Sequence, residues 1–235
     1  VINMEEFEEA IDRVVAGLEK KQRVMSKKEK EIVAYHETGH ALMAEFLETA
    51  DQVHKISIIP RGISALGYTL QLPTEDRYLM TRKELLDRLG VLLGGRVAEE
   101  IIFNEISTGA QNDLARATDI AKSMVKEYGM SEKLGYMTFE KERRPIFLDI
   151  NPSFGTRDYS EETAREIDNE VRKIIEESYQ RVRAILTEKK GLLEKVAQTL
   201  LEKEVIEGEE LRLLIKGEGS EIEEDKHRQE TDRPH

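Results

Sequence analysis

The sequence predicts a mainly α-helical protein with a small β-sheet or hairpin. Three observations carry this prediction. Apolar residues recur at helical spacing through most of the 235 residues. A β-branched stretch, Val53-His-Lys-Ile-Ser-Ile-Ile-Pro60, interrupts that pattern and is followed by a second strand-like run, Leu66 to Leu72. From Thr81 onward, helix-start signals and amphipathic segments follow one another almost to Ile215.

Each element has its own justification. Met4 to Lys20 reads as an amphipathic helix with Phe7, Ile11, Val14, Val15 and Leu18 on one side. Ser26 followed by Glu29 is a capping box opening a helix over Lys30 to Leu47, with Ile32, Val33, Leu42, Met43, Phe46 and Leu47 near helical spacing. Arg61-Gly-Ile-Ser-Ala65 is a turn between the two strands, which together form a hairpin or part of a small sheet. Thr81 and Glu84 make a second box, opening a helix from Leu85 to Phe103 that contains Gly94-Gly95. Each glycine costs roughly 1 kcal/mol against alanine in a helix interior, so the pair predicts close packing or a kink. Ser107 to Asp113 is turn-like and leads into a helix from Leu114 to Tyr128 that ends at Gly129. A short strand is expected over Leu134 to Phe139, and a loop over Arg143 to Tyr159, which holds two prolines. Ser160-Glu-Glu-Thr opens a long helix to about Lys190. Helices near Leu192 to Glu202 and Gly208 to Ile215 complete a C-terminal helical bundle. Gly217 to His235 is polar and reads as a disordered tail, in which His227 and His235 are solvated.

Composition narrows the function. The formal net charge of -12 disfavours nucleic acid as a partner. With no cysteine, any metal must be held by His, Asp or Glu. No apolar run reaches the ~18 residues of a membrane helix, no signal peptide is visible, and there is no G-x-x-x-x-G-K-[ST] phosphate loop for ATP. The opening Val-Ile-Asn-Met-Glu starts mid-pattern, as a segment cut from a longer protein would.

The chemistry is carried by His36-Glu37-Thr38-Gly39-His40. On a helix the two histidines lie one turn apart on one face, where two neutral nitrogens can grip one divalent metal. Glu37 stands beside them, able to act on water without being a ligand. This is the HExxH arrangement of zinc metallopeptidases, so the expectation is a zincin-like helix and a peptide-bond hydrolase. Gly39 is costly in mid-helix and implies a close approach to the backbone there. Such a site requires a third protein ligand, and a carboxylate is the default. Glu99 or Glu100, in a downstream helix, is the generic choice. Asp113 is the other, although an aspartate in a first helical turn is commonly there for the helix dipole. His54 suits a packed or surface position better. Spacing alone leaves the choice open.

The motif is followed in order by Lys55-Ile-Ser-Ile-Ile-Pro-Arg-Gly62, Ala65-Leu-Gly-Tyr-Thr69, Leu93-Gly-Gly-Arg-Val-Ala-Glu-Glu-Ile-Ile102 and Ser107-Thr-Gly-Ala-Gln-Asn-Asp-Leu114. This series closely resembles the peptidase domain of the FtsH family, membrane-anchored AAA+ ATP-dependent zinc proteases, over about residues 1 to 215. The resemblance implies one Zn2+ per chain held by His36, His40 and Asp113, with Glu37 as general base. Glu99 and Glu100 are then not ligands. Thr38 stands where the family most often has alanine. Residues 1–22 would end a preceding ATPase module. Residues 23–216 would form the peptidase domain, with a catalytic part at 23–140 and a helical part at 160–216, and 217–235 the tail. ATP and Mg2+ would act only through that ATPase module, and the membrane would be engaged only by segments upstream of it. The resemblance further implies a homo-hexamer at the bacterial inner membrane, its peptidase domain facing the cytoplasm. Its substrates would be unfolded polypeptides, among them misassembled membrane proteins and short-lived soluble regulators.

Two further expectations concern how the chain is used. The strand Lys55-Ile56-Ser57-Ile58-Ile59 could pair with an extended substrate, the alternative being an ordinary core strand. A different class of function is a hexamer-forming platform for an ATPase ring with little catalysis of its own, which the acidic helical half from Ser160 to Ile215 would suit. A small zinc-dependent esterase or amidase is disfavoured, because nothing in the sequence suggests a deep small-molecule pocket.

Overall fold

The computed structural model describes residues 25–60, 66–72, 78–139 and 159–217, with isolated positions before residue 25. The expected helix over Met4 to Lys20, the turn at 61–65, most of the loop over 143–159 and the tail beyond Gly217 lie outside the described residues.

The motif helix, α1, runs Lys27–Phe46. Its start is the predicted capping box: Ser26 Oγ accepts from the Glu29 amide at 3.2 Å, and the Glu29 carboxylate accepts from the Ser26 amide at 2.9 Å. Nearly every residue from Val33 to Ala44 is buried, so the helix runs through the interior and carries its polar motif with it. The second helix, α2, spans Arg82–Phe103 behind the Thr81–Glu84 box. It continues through Gly94-Gly95 as one helix, so of the two expectations for that pair close packing is the one realised. A Cβ on Gly94 would lie 2.6 Å from the Gly39 carbonyl oxygen, and one on Gly39 would lie 2.7 Å from Ala98 Cβ. The two backbones therefore cross in contact, and this also accounts for Gly39.

Helix α3 covers Gln111–Lys126, α4 Glu161–Glu188 and α5 Lys190–Lys203, and residues 208–217 form α6. Helices α3 and α4 pack on α2, while α5 packs on α1. Large aliphatic side chains, among them Leu42, Leu89, Leu93, Leu193 and Leu200, fill the space between them. Burying side chains of this size is the main favourable term for the fold. One polar tie crosses this core. Asp87 is wholly buried and accepts from the Thr49 amide at 3.2 Å, the Thr49 hydroxyl at 2.7 Å and Arg181 at 2.8 Å. It joins the exit of α1 to α2 and α4.

Among the described residues, three antiparallel strands complete the fold: β1 Val53–Ser57, β2 Tyr68–Gln71 and β3 Val205–Glu207, in the order β2-β1-β3. The expected hairpin pair is present, with Ile56 opposite Thr69 and Ser57 opposite Tyr68. The third strand is an addition. Glu204 adopts a left-handed conformation (φ 62°) at the end of α5, turning the chain so that Ile206 pairs with Ile56. Two expectations are corrected. Lys55, Ile56 and Ser57 are paired on both sides within the sheet, and the Ile58 amide donates to Glu204 O at 3.0 Å. Lys55 to Ser57 thus lie in the central strand, with no free ladder edge for a substrate strand, while Ile58 and Ile59 continue beyond it; the outer strand beside α1 is β2. Over Leu134 to Phe139 there is no strand. A single bridge between Ser131 and Gly135 closes a turn there, and the Phe139 amide returns to Lys126 O at 2.7 Å.

Candidate active site

His36 and His40 stand on the buried face of α1, with ring centroids 4.6 Å apart and the planes nearly perpendicular. The room for His36 comes from α2, where a Cβ on Gly95 would lie 2.6 Å from the imidazole. The Gly94-Gly95 pair therefore has two separate uses, one for the crossing backbone and one for the ring.

The outer nitrogens of both rings are engaged. His40 Nδ1 lies 2.7 Å from Val91 O, and His36 Nδ1 lies 2.6 Å from Glu99 Oε1. A carbonyl oxygen and a carboxylate only accept hydrogen bonds, so both Nδ1 atoms carry the proton and donate. A neutral ring so held presents its Nε2 lone pair, and the two Nε2 atoms face each other at 3.0 Å. Asp113, in the first turn of α3, points its Oδ2 at both, 3.4 Å from each Nε2. Three potential electron-pair donors thus converge, and a metal ion or a proton among them relieves their mutual repulsion.

The electrostatics show the same demand for a positive charge, met by a proton on His36 when no metal is bound. Burial opposes charging His36, yet hydrogen bonds with the Asp113 and Glu99 carboxylates outweigh it and raise its pKa to about 10. Glu99 is buried and Asp113 partly so, which raises a carboxyl pKa, but their hydrogen-bond partners hold both below the usual range. Asp113 is held down by the two histidines, and Glu99 by His36 and Ser107. The residues thus fit a divalent metal. The donor atoms lie within 4.8 Å of one another, and two imidazoles plus a carboxylate is a donor set of catalytic zinc sites.

The other candidates lie elsewhere. Glu99 is held behind His36 and also accepts from the Ser107 amide at 2.9 Å, bracing the loop that leads to Asp113. Glu100 faces α4, where it accepts from Tyr179 at 2.6 Å and pairs with Arg183. His54 is on β1, outside the converging group. Asp113 makes no capping bond at the α3 start; its carboxylate is spent on the histidines. Glu37 is buried beside them, and its Oε2 accepts from the Thr69 hydroxyl of β2 at 2.9 Å. Thr69, Val91 O and the Ser107 amide are functional contacts that sequence reasoning did not find. Two of them are backbone atoms, which leave no mark in a sequence.

The donors lie in a cleft of about 1250 Å³, whose lining includes β2 and Thr108, Asn112 and Arg116. It is larger than the ~300–1,000 Å³ usual for a small-molecule site.

A buried HExxH helix with a carboxylate brought in from a downstream helix is the arrangement of the zinc metallopeptidase class. The chain belongs to peptidase family M41, whose sequence profile matches residues 23–214. It is 64% identical over 211 residues to an "ATP-dependent zinc metalloprotease FtsH" of Syntrophobacter fumaroxidans, covering 90% of this chain and 33% of that protein. Proteins of the same name match at 58% identity in Pseudothermotoga lettingae (92% of this chain, 34% of the relative) and at 51% in Thermotoga maritima (92% and 35%). The chain thus spans about a third of the length of these curated relatives. Among the described residues no helix is long and apolar enough to cross a membrane.

Proposed function

We propose that His36, His40 and Asp113 hold one Zn2+ and that Glu37 is the general base of a peptide-bond hydrolysis. The observation that carries this reading is the convergence of the two Nε2 atoms and Asp113 Oδ2 at 3.0–3.4 Å, with both rings fixed from behind by Glu99 and Val91. Glu99 is then a brace that orients His36 and raises its basicity, a role outer carboxylates commonly have at metal sites.

When bound, zinc supplies Lewis acidity, making water a nucleophile near neutral pH and stabilising a developing oxyanion. Glu37 takes the proton of the attacking water on Oε1, the oxygen not used by Thr69, and returns it to the leaving amine nitrogen. Val33, Leu66 and Leu92 line the cleft around the donors and limit solvent there. An extended polypeptide can lie along the cleft beside β2, the outer strand, with its backbone rather than its side chains supplying most of the recognition. Weak sequence preference follows.

We place this chain as the peptidase domain, residues 23–216 with its catalytic part at 23–140 and helical part at 160–216, of an ATP-dependent, membrane-anchored protease. An ATPase module ending near residue 22 would deliver unfolded chains to the cleft, and six copies would form the ring. Misassembled membrane proteins and short-lived soluble proteins would be its substrates at the bacterial inner membrane, on the cytoplasmic side. Native mass together with zinc content tests the assembly: a hexamer lacking zinc and activity would instead favour the platform role. Glu37→Gln tests the chemistry. Zinc stays bound and cleavage of unfolded casein collapses; retained cleavage would sink the assignment.

A further inference from the structure

The string Ala65-Leu-Gly-Tyr-Thr69 has so far supplied only an outer strand. Its last residue does more. Thr69 Oγ1 donates to Glu37 Oε2 at 2.9 Å and also lies 3.1 Å from the Glu37 carbonyl oxygen. A hydroxyl has one hydrogen, which these two acceptors share. Among the described residues, no other side chain hydrogen-bonds the Glu37 carboxylate. The approach is close as well as bonded. A Cβ at Gly67 would stand 2.9 Å from Glu37 Cγ and 2.8 Å from Val33 Cγ1, so the start of β2 lies directly over the Glu37 stem and limits its swing.

We propose that Thr69 is a positioning residue for the reaction. It holds the Glu37 carboxylate by Oε2 in one rotamer and leaves Oε1 to take and return the proton. The inference rests on the reading of Glu37 as general base. A long, flexible carboxylate side chain gains from such restraint, because a general base must meet its proton at hydrogen-bond distance and a misplacement of about 1 Å can cost on the order of a hundredfold in rate. The competing account is that Thr69 merely ties the sheet to α1 through the Glu37 carbonyl.

The test compares Thr69→Val, Thr69→Ser and Glu37→Gln in the zinc-loaded protein, on an unstructured quenched-fluorescence peptide. Valine keeps the shape and removes the hydroxyl. The expected result is a kcat lowered about 10- to 100-fold with KM within about twofold of the parent. Elemental analysis should still find full zinc occupancy, and serine should restore most of kcat. A second readout needs no activity: the Tm losses of Thr69→Val and Glu37→Ala, measured singly and together on metal-free protein, should be non-additive. An unchanged kcat in Thr69→Val, a rise in KM alone, a fall in kcat that tracks zinc loss, no rescue by serine, or additive Tm losses would each overturn the proposal. Cleavage retained by Glu37→Gln would overturn the general-base reading itself, so the two failures are distinguishable.

Discussion

Gly39 of α1 and Gly94 of α2 meet backbone to backbone, so closely that a Cβ on Gly94 would lie 2.6 Å from the Gly39 carbonyl oxygen and 2.9 Å from its carbonyl carbon. The crossing places the HExxH face against α2, and with it the Val91 carbonyl and Glu99 that fix the two rings. Gly94→Ala therefore has no flexible side chain to push aside. The expected cost is about 3 kcal/mol, a Tm fall on the order of 10 °C. Thermal unfolding of the purified variant checks it, and a shift of a degree or less would mean that the helices can slide apart.

The two acidic neighbours of His36 are expected to separate cleanly in metal binding. Asp113→Ala removes a donor atom and should abolish zinc retention on elemental analysis. Glu99→Ala removes only the brace behind the ring and should weaken zinc about 10- to 100-fold in a chelator competition while leaving it detectable at excess metal. The reverse order would show that Glu99 moves in to bind.

Thr38 is wholly buried in α1, and its hydroxyl has no hydrogen-bond partner among the described residues. An unsatisfied buried hydroxyl costs about 1–3 kcal/mol, and alanine is also the better helix former. Thr38→Ala loses one methyl group in exchange. The net expectation is a Tm a few degrees higher with cleavage unchanged, measured by calorimetry and the peptide assay.

Asp87 gives the fold an acid-sensitive tie. Burial raises its pKa, but Thr49 and Arg181 outweigh this and hold it below its ordinary value of 3.8. A lowered folded-state pKa contributes stability that is complete above the unfolded value and is lost as pH falls through the folded one. Asp87→Asn should therefore be less stable than the parent by about 2 kcal/mol at neutral pH. The gap should narrow below about pH 4. Urea unfolding of the metal-free proteins at both pH values measures it; a constant gap would assign the loss to packing.

Legibility in the sequence followed the range of the interaction. Both capping boxes, Ser26 with Glu29 and Thr81 with Glu84, span three residues, and both are realised in the structure. Strand β3 was not legible, because three residues between two helices show no periodicity and its partner lies far away in β1. The same limit bears on the expected substrate strand. Lys55 to Ile59 reads correctly as β-structure, but only the pairing with β3 makes β1 central rather than an edge. At the site, the ligating face of His36 and His40 follows from helical geometry alone.

What the sequence by itself determined is the local chemistry: a helix presenting two imidazoles and a neighbouring carboxylate on one turn, with no thiol available to compete. Its motif series also carried the family. What only the tertiary structure decided is which distant groups complete and hold that helix. Asp113 faces the rings while Glu99 braces one of them, Val91 holds the other through a backbone atom, and Thr69 reaches Glu37 from a strand. The physical reason is that helical spacing is set by backbone geometry within a few residues, whereas these contacts depend on how α1, α2, α3 and β2 pack. That packing is a collective outcome of core volume and two glycine surfaces, and no single residue encodes it.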